Sequence, residues 1–450
     1  GARPSPRHAR GLRPAEETGG SAGGRGVSRE RKVELRWIAG VSGAWPAIPP
    51  MAHAAAMLPR RGLLLLIPAL AAALRPAAAP QRTLRVSMES ESSFGSFSDF
   101  MATRKKSFDV ASGMGVGTMA WGEAGVGFVT GTGGTSTGQR KTFGKSLFAA
   151  GDLAAAYKVL VEGGVDFFET NEVYGLGSAG ENHQAEQLLG QFRQQNPKFP
   201  ADIAITVMPS LRDPHGGGLR FGRRGVLASI QGSLDRQGVG YAKLVQLGAP
   251  GKTYIGGRGK LAAGLAMAKQ RGLVEHVGVV NHNAKDLEKM HGLLKKEGID
   301  LATNQIELSL TNQDALFDGT IGACKRLGVK VLASSPLGGG LATGVYTVGN
   351  PSGGRGGKPK FTPQELVPFN RLHTELEQIA KEVSARLEEQ DDVTPTQVSL
   401  NWVRAKGAVP LPGVKTEKHA KEVLESLKWS LTRKEVDRLD RVAQAARAAM

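Results

Sequence analysis

A carboxylate and a phenol stand close together in VDFFETNEVYG, residues 165–175: Glu169 and Tyr174. The segment reads as a buried apolar strand that breaks into a polar turn, so both groups fall at or just past a strand end. A free phenol has a pKa of about 10, and a cation within a few ångströms favours its phenolate. Tyr174 is therefore either a proton donor in an active site or a tyrosine at a strand end. What stands on the neighbouring strands decides between the two.

Eight apolar runs have the length and composition of buried strands: 112–121, 165–170, 201–208, 242–248, 276–281, 301–308, 329–334 and 408–413. Helix-period segments separate them. AKDLEKMHGLLKKEG sets Leu287, Met290 and Leu294 on one face and closes on Gly298. Thr394, Pro395 and Gln397 have the spacing of a capping box with proline at the first helical position. Thr432 and Glu435 repeat the box, ahead of an apolar face made by Val436, Leu439, Val442 and Ala446. Nearly continuous apolar strands alternating with helices predict a parallel sheet, and eight such units predict an α/β fold of the closed (β/α)8 TIM-barrel type. An open doubly wound sheet is the alternative. No G-x-G-x-x-G opens the helix after the first strand, which speaks against it. Two glycine-rich insertions, 123–150 and 345–362, read as long loops.

The chain has 450 residues, 40% of them hydrophobic, enough for one large barrel. Its single cysteine, Cys324, excludes an internal disulfide and a cysteine-built zinc site, and its place in an amphipathic run predicts a buried helix residue; no metal site is expected. The net charge is +17, with roughly half of it in the first 110 residues. Aromatic residues are 6% and no basic–aromatic interleaving occurs, so no nucleic-acid partner is expected. Residues 1–56 are read as a disordered or non-coding extension. Residues 57–80 place two arginines before the apolar stretch Gly62–Leu74 and then small residues, the arrangement of a signal peptide. Residues 81–108 are a transit-like linker, although Glu89, Glu91 and Asp99 are unusual there. This leader predicts delivery to a plastid, with secretion or a retained anchor as alternatives. Membrane association is expected only through it. The barrel is expected over 109–450.

The order of motifs across 112–445 resembles the aldo-keto reductases, especially the plastid-type oxidoreductases. The resemblance rests on GMGVGTMAWGE, VDFFETNEVYG, GVVNHNAKDLEKM, LATNQIELSL, VLASSPLGGGL and TPTQVSLNWVRAKGAVPLPGVKTEKHAKEV. It implies a TIM barrel that binds NADP(H) at the C-terminal ends of the strands and reversibly reduces a small carbonyl substrate. In that family a tyrosine gives the proton, a lysine paired with an aspartate lowers the tyrosine's pKa, and a histidine orients the carbonyl. Tyr174 matches the tyrosine. Glu169 stands for the aspartate with one more methylene. Thr206 stands where the lysine belongs, or Val207 if the register slips by one, and Gly248 stands in place of the histidine. Lys243 begins the fourth strand, at the wrong end to substitute. His183 and His282 lie in loops at the correct end and are read as solvated rather than as site groups.

The resemblance assigns cofactor contacts in the same way. Asn281, beside Val280 where a serine is usual, and Gln305 face the nicotinamide amide. Ser334 replaces a ring-stacking tyrosine. The turn Ser335, Pro336, Leu337 and Gly338 approaches the pyrophosphate. Lys415 and Thr416, with Lys418 or His419 after them, suit a ribose phosphate, and Glu422 belongs to the adenine side. Outside the resemblance, Asn281 and Gln305 read equally as strand-end caps and Lys415 as a solvated cation. The expectation is an NADP(H)-binding protein of the oxidoreductase family in which carbonyl reduction is weak or lost. The alternative is a non-catalytic nucleotide sensor or a structural subunit of a plastid assembly.

Overall fold

The computed structural model describes residues 107–123, 128, 141–142, 145–146, 148–176, 184–209, 212–216, 218–248, 257–352, 361–387 and 392–450, all within one compact unit, Ser93–Met450. The leader segments read at 1–56, at 57–80 and over nearly all of 81–108 lie outside the described residues, as does His183.

Eight parallel strands form one sheet in sequence order: β1 (Val116–Gly117), β2 (Phe167–Asn171), β3 (Asp202–Val207), β4 (Ala242–Leu247), β5 (Val274–Val280), β6 (Leu301–Glu307), β7 (Lys330–Ser334) and β8 (Val409–Pro410). Backbone bonds from Gly115 N to Pro410 O and from Gly117 N to Pro412 O, both 3.0 Å, bring the first strand against the last. The fold is the (β/α)8 TIM barrel that the alternating runs predict.

Alternation along each strand sorts the side chains into two cores. Phe167, Ala204, Leu244, Leu332, Val409 and Leu411 form an inner cluster, and Phe168, Ile205, Val245, Val279 and Ala333 join the larger cluster under the helices. Phe108 closes the N-terminal end of the barrel. Its ring meets Phe167 edge-on at 5.8 Å and His276 at 5.4 Å. Charged groups also gather at that end: Lys243 pairs with Asp202, and Lys330 with Asp109 at 3.1 Å. The lysine of β4 is thus spent far from the strand C-termini.

The helices α1 (Ala150–Glu162), α2 (Ala185–Gln195), α3 (Gly222–Gln237), α4 (Gly257–Gln270), α5 (Ala284–Lys296) and α6 (Thr320–Leu327) follow strands β1 to β6. Then come α7 (Asn370–Leu387), α8 (Pro395–Ala405), α9 (Glu417–Glu425) and α10 (Arg433–Ala448). The apolar face of α5 is buried through Leu287, Met290 and Leu294. Both capping boxes form, Thr394 with Gln397 on α8 and Thr432 with Glu435 on α10. Cys324 is fully buried on α6. Arg438 of α10 reaches Glu375 and Glu382 of α7 at 2.5 and 2.6 Å, tying the two helices that do not alternate with barrel strands. No helix among the described residues is long and apolar enough to cross a membrane.

The ring of Phe167 carries much of the inner core. Phe167→Ala is expected to reduce unfolding free energy by about 3–5 kcal/mol, read from the urea midpoint at unchanged slope. A loss below about 1 kcal/mol would mean that the interior is not packed around it.

Candidate functional site

The pleat of β2 turns Glu169 inward with Phe167, and the β2–β3 register sets Asn171 opposite Thr206. Glu169 is only 3% exposed, and its Oε1 accepts from Thr206 Oγ1 at 3.1 Å. Gln246 of β4 donates to Thr206 Oγ1 at 3.4 Å and to Gln305 Oε1 of β6 at 2.6 Å. Thr303 Oγ1 donates in turn to Gln246 Oε1 at 3.2 Å. The side chain of Gln305 also favours the charged form of Glu169. Thr206 thus bonds the carboxyl directly, Gln246 and Thr303 back it in a network across β3, β4 and β6, and every member is uncharged. Burial pushes Glu169 up to about 7, while the bonds from Thr206 and Gln305 pull the other way. No cation among the described residues contributes to holding its charge.

Tyr174 sits in the turn after β2, its amide bonded to Asn171 O at 3.0 Å and its carbonyl accepting from Ala185 N at 3.2 Å. The side chain is half-buried and packs on the outer core. Burial, and then the negative charge of Glu169, raise its pKa well above the ordinary tyrosine range. The phenol is a group that keeps its proton.

The two absent helpers have distinct structural replacements. Thr206, not Val207, faces inward; Val207 belongs to the core under the helices. At Gly248 a Cβ would fall 2.6 Å from Met208 Sδ, so a flexible thioether fills the space where the resemblance implies an imidazole. Met208 is held from the other side. Its amide donates to Glu172 Oε1 at 2.7 Å. Glu172 Oε2 pairs with Arg220 at 2.7 Å, and Arg220 reaches Asp213 at 2.8 Å. His215 Nε2 donates to Glu172 O at 2.7 Å. This buried ion cluster clamps the loop after β3 against the turn after β2. Sequence reasoning passed over it, because nothing in Glu172 or Arg220 alone marks two residues so far apart as partners.

His282 is not a solvated loop histidine. It is 2% exposed, its Nδ1–H donates to Val280 O at 3.0 Å, and Asn304 of β6 brackets its backbone. It packs behind β5 and β6, where Asn304 also meets Cys324, and does not join the Glu169 network.

The remaining candidates lie along the C-terminal ends of β5, β6, β7 and β8. Asn281 is exposed with a left-handed φ of 54°, its amide bonded to Gln305 O at 2.8 Å. Gln305 itself is turned into the barrel. Ser335 also has positive φ, 49°, and Gly338 N closes its turn onto Ser335 O at 2.8 Å around Pro336 and Leu337. Only glycine fits at 338: φ is 57° and a Cβ would fall 1.9 Å from Thr311 Oγ1. After β8, Trp121 Nε1 donates to Val414 O at 3.0 Å and so fixes the start of the Lys415 loop to the loop of β1. Lys415 Nζ lies 5.0 Å over the Phe148 ring. Thr416 caps α9 by accepting from His419 N. Glu422 Oε1 accepts from Thr394 Oγ1 at 2.6 Å, which ties α9 to the start of α8. The structure thus links Glu169 to Gln305 through Thr206 and Gln246 and sets the others on separate segments that follow the strand ends.

The buried acid has a consequence for stability. Folding holds a proton on Glu169 that the unfolded chain releases above its ordinary 4.5, so its contribution to stability falls as pH rises from there to about 7. Glu169→Gln is expected to gain about 3 kcal/mol on the wild type between pH ~4 and pH ~8 in urea unfolding. Glu186, also pushed up to about 7 by burial, is common to both proteins and cancels in the difference. A difference independent of pH would contradict this protonation.

Comparison with known proteins agrees with the geometry. The profile of the Aldo/keto reductase family matches residues 114–444. "Pyridoxal reductase, chloroplastic" of Arabidopsis thaliana is 28% identical over 344 residues, covering 75% of this chain and 84% of that protein. "Aldo-keto reductase yakc [NADP(+)]" of Schizosaccharomyces pombe is 22% identical over 277 residues, 60% of this chain and 76% of its own. Among solved structures, the thermostable aldo-keto reductase Tm1743, in complex with the inhibitor epalrestat, superposes with a TM-score of 0.52 at 22% identity, covering 73% of this chain and 94% of that one. An aldo-keto reductase from Klebsiella pneumoniae in complex with NADPH gives 0.51 at 19%, over 73% and 90%. At these identities the two structures speak to the fold. With a family match running from β1 into α10, the chain belongs to the aldo/keto reductase family.

Proposed function

We propose that this chain is an NADP(H)-dependent carbonyl reductase whose chemical step is slow, because Tyr174 must give its proton with no cation beside it among the described residues. The observation that carries this reading is the bond from Thr206 to Glu169, an uncharged donor at the place where the family resemblance implies a lysine. The family membership and its small carbonyl substrates supply the reaction class, and two relatives named for pyridoxal reduction and for NADP(+) are in keeping with it.

The rim residues fit a phosphate-bearing nucleotide by the chemistry of their donors. Lys415 and the first-turn amides of α9 suit a phosphate monoester. The turn from Ser335 to Gly338 offers backbone amides and little side-chain bulk for a pyrophosphate. Asn281 is exposed just past the C-terminal end of β5 and offers a carboxamide there. When bound, the reduced nicotinamide supplies a hydride to the carbonyl carbon. Tyr174 donates its proton to the carbonyl oxygen. Burial and the Glu169 charge keep that proton on the phenol, which makes it a weak acid for reduction and disfavours the phenolate that the reverse reaction needs. The filled space at Gly248 leaves the carbonyl without an imidazole to orient it.

The same two replacements favour a second reading, a nucleotide-binding protein without turnover that serves as a sensor or as a structural subunit of a plastid assembly. The chloroplastic relative and the signal- and transit-like leader support a plastid location for either.

Fluorescence titration with NADPH, followed by aldehyde reduction with wild type and Tyr174→Phe, separates them. The expected result is binding with slow turnover that falls a further 10²-fold or so in the variant. Turnover unchanged in Tyr174→Phe removes the phenol from the mechanism. Binding without any turnover supports the sensor.

A further inference from the structure

The barrel interior beneath Tyr174 holds a carboxyl that, once ionised, no cation among the described residues balances. From β1, β3 and β6 the neighbours of Glu169 are Gly117, Thr206 and Gln305, with Gln246 of β4 bonded to the last two, all uncharged, and the titratable group on which its charge acts is Tyr174 of the β2 turn. From Leu411, just past β8, comes a second electron-rich atom. A Cβ at Gly117 would fall 3.3 Å from Leu411 O and 3.9 Å from Glu169 Oε2. A carboxyl oxygen and a carbonyl oxygen therefore border the same side-chain-free space, and Thr206 and Gln305 are occupied on the other side of the carboxyl.

Such a site discriminates by charge. The oxidised nicotinamide ring carries a delocalised positive charge, and the reduced ring is neutral. An ammonium beside the carboxyl would neutralise it and remove the distinction. Here Thr206 does not. We propose that the barrel mouth over Glu169 and Gly117 is a cation-preferring site that holds oxidised NADP+ in preference to NADPH when the carboxyl is ionised. This inference rests on the nucleotide reading above and deepens it.

The sign follows from linkage. NADP+ stabilises ionised Glu169, so its binding expels a proton and strengthens as pH rises; NADPH binding lacks this gain. The phosphates are the same in both forms, so their titration cancels in the ratio of the two affinities.

The test is calorimetric titration of the full chain with NADP+ and with NADPH across pH, read as the ratio of their dissociation constants. From about pH 6 to about pH 8.5 the wild-type ratio is expected to shift about tenfold towards NADP+, since one unit of difference in the carboxyl pKa between the two complexes is tenfold in the ratio. In Glu169→Gln the ratio is expected to be flat. Thr206→Val, which removes a donor to the carboxylate, is expected to move the inflection to higher pH. A flat wild-type ratio overturns the proposal even if both variants fail to fold, and so does an equal shift in Glu169→Gln. Failure of either nucleotide to bind at any pH overturns the nucleotide reading itself, and this inference with it.

Discussion

One interaction sets the character of this barrel: a buried carboxyl, Glu169, held by a hydroxyl instead of an ammonium. A charged pair there would fix the ionisation of both partners and lend its field to the phenol above. An uncharged donor leaves the carboxyl to its desolvation. The effect runs outward. Glu169 is pushed up, its remaining charge pushes Tyr174 up, and the proton donor of the site becomes harder to ionise.

The fold accommodates this substitution by extending the hydrogen-bond ladder. Thr206, Gln246, Thr303 and Gln305 pass donors across β3, β4 and β6 in a layer above the apolar one made by Phe167, Leu244 and Leu332. That layer needs the closed sheet, because only closure brings side chains from non-adjacent strands within bonding distance. The second replacement, Met208 in the space at Gly248, is secured by the Glu172–Arg220–Asp213 cluster. A buried ion pair of this kind specifies a loop conformation more than it adds stability. Arg220 bridges the two carboxylates of that cluster.

The barrel was legible because its signals are local and repeated. Strand-like runs, the two capping boxes and the face of α5 each follow from residues a few positions apart. The ends of the barrel were less so. The first strand, expected over 112–121, forms only at Val116–Gly117, because the chain then turns to place Trp121 against Val414. The last, expected over 408–413, is limited to Val409–Pro410, where prolines at 410 and 412 remove ladder donors. At the site, the residue types at 169, 174, 206 and 248 could be read in order, and the structure fixes the choice between Thr206 and Val207. The partners of those residues could not be read. Gln246 and Met208 act through contacts between distant segments, and His282 turns behind the sheet through a bond to its own strand's carbonyl. None of these leaves a mark in spacing or composition.

The protonation of Glu169 is measurable without cofactor or substrate. The carbon-13 shift of its carboxyl, assigned by its disappearance in Glu169→Gln, is expected to titrate near the value of about 7 that its burial sets. A midpoint in the ordinary carboxylate range, about 4.3, would place a compensating cation beside it and contradict the account.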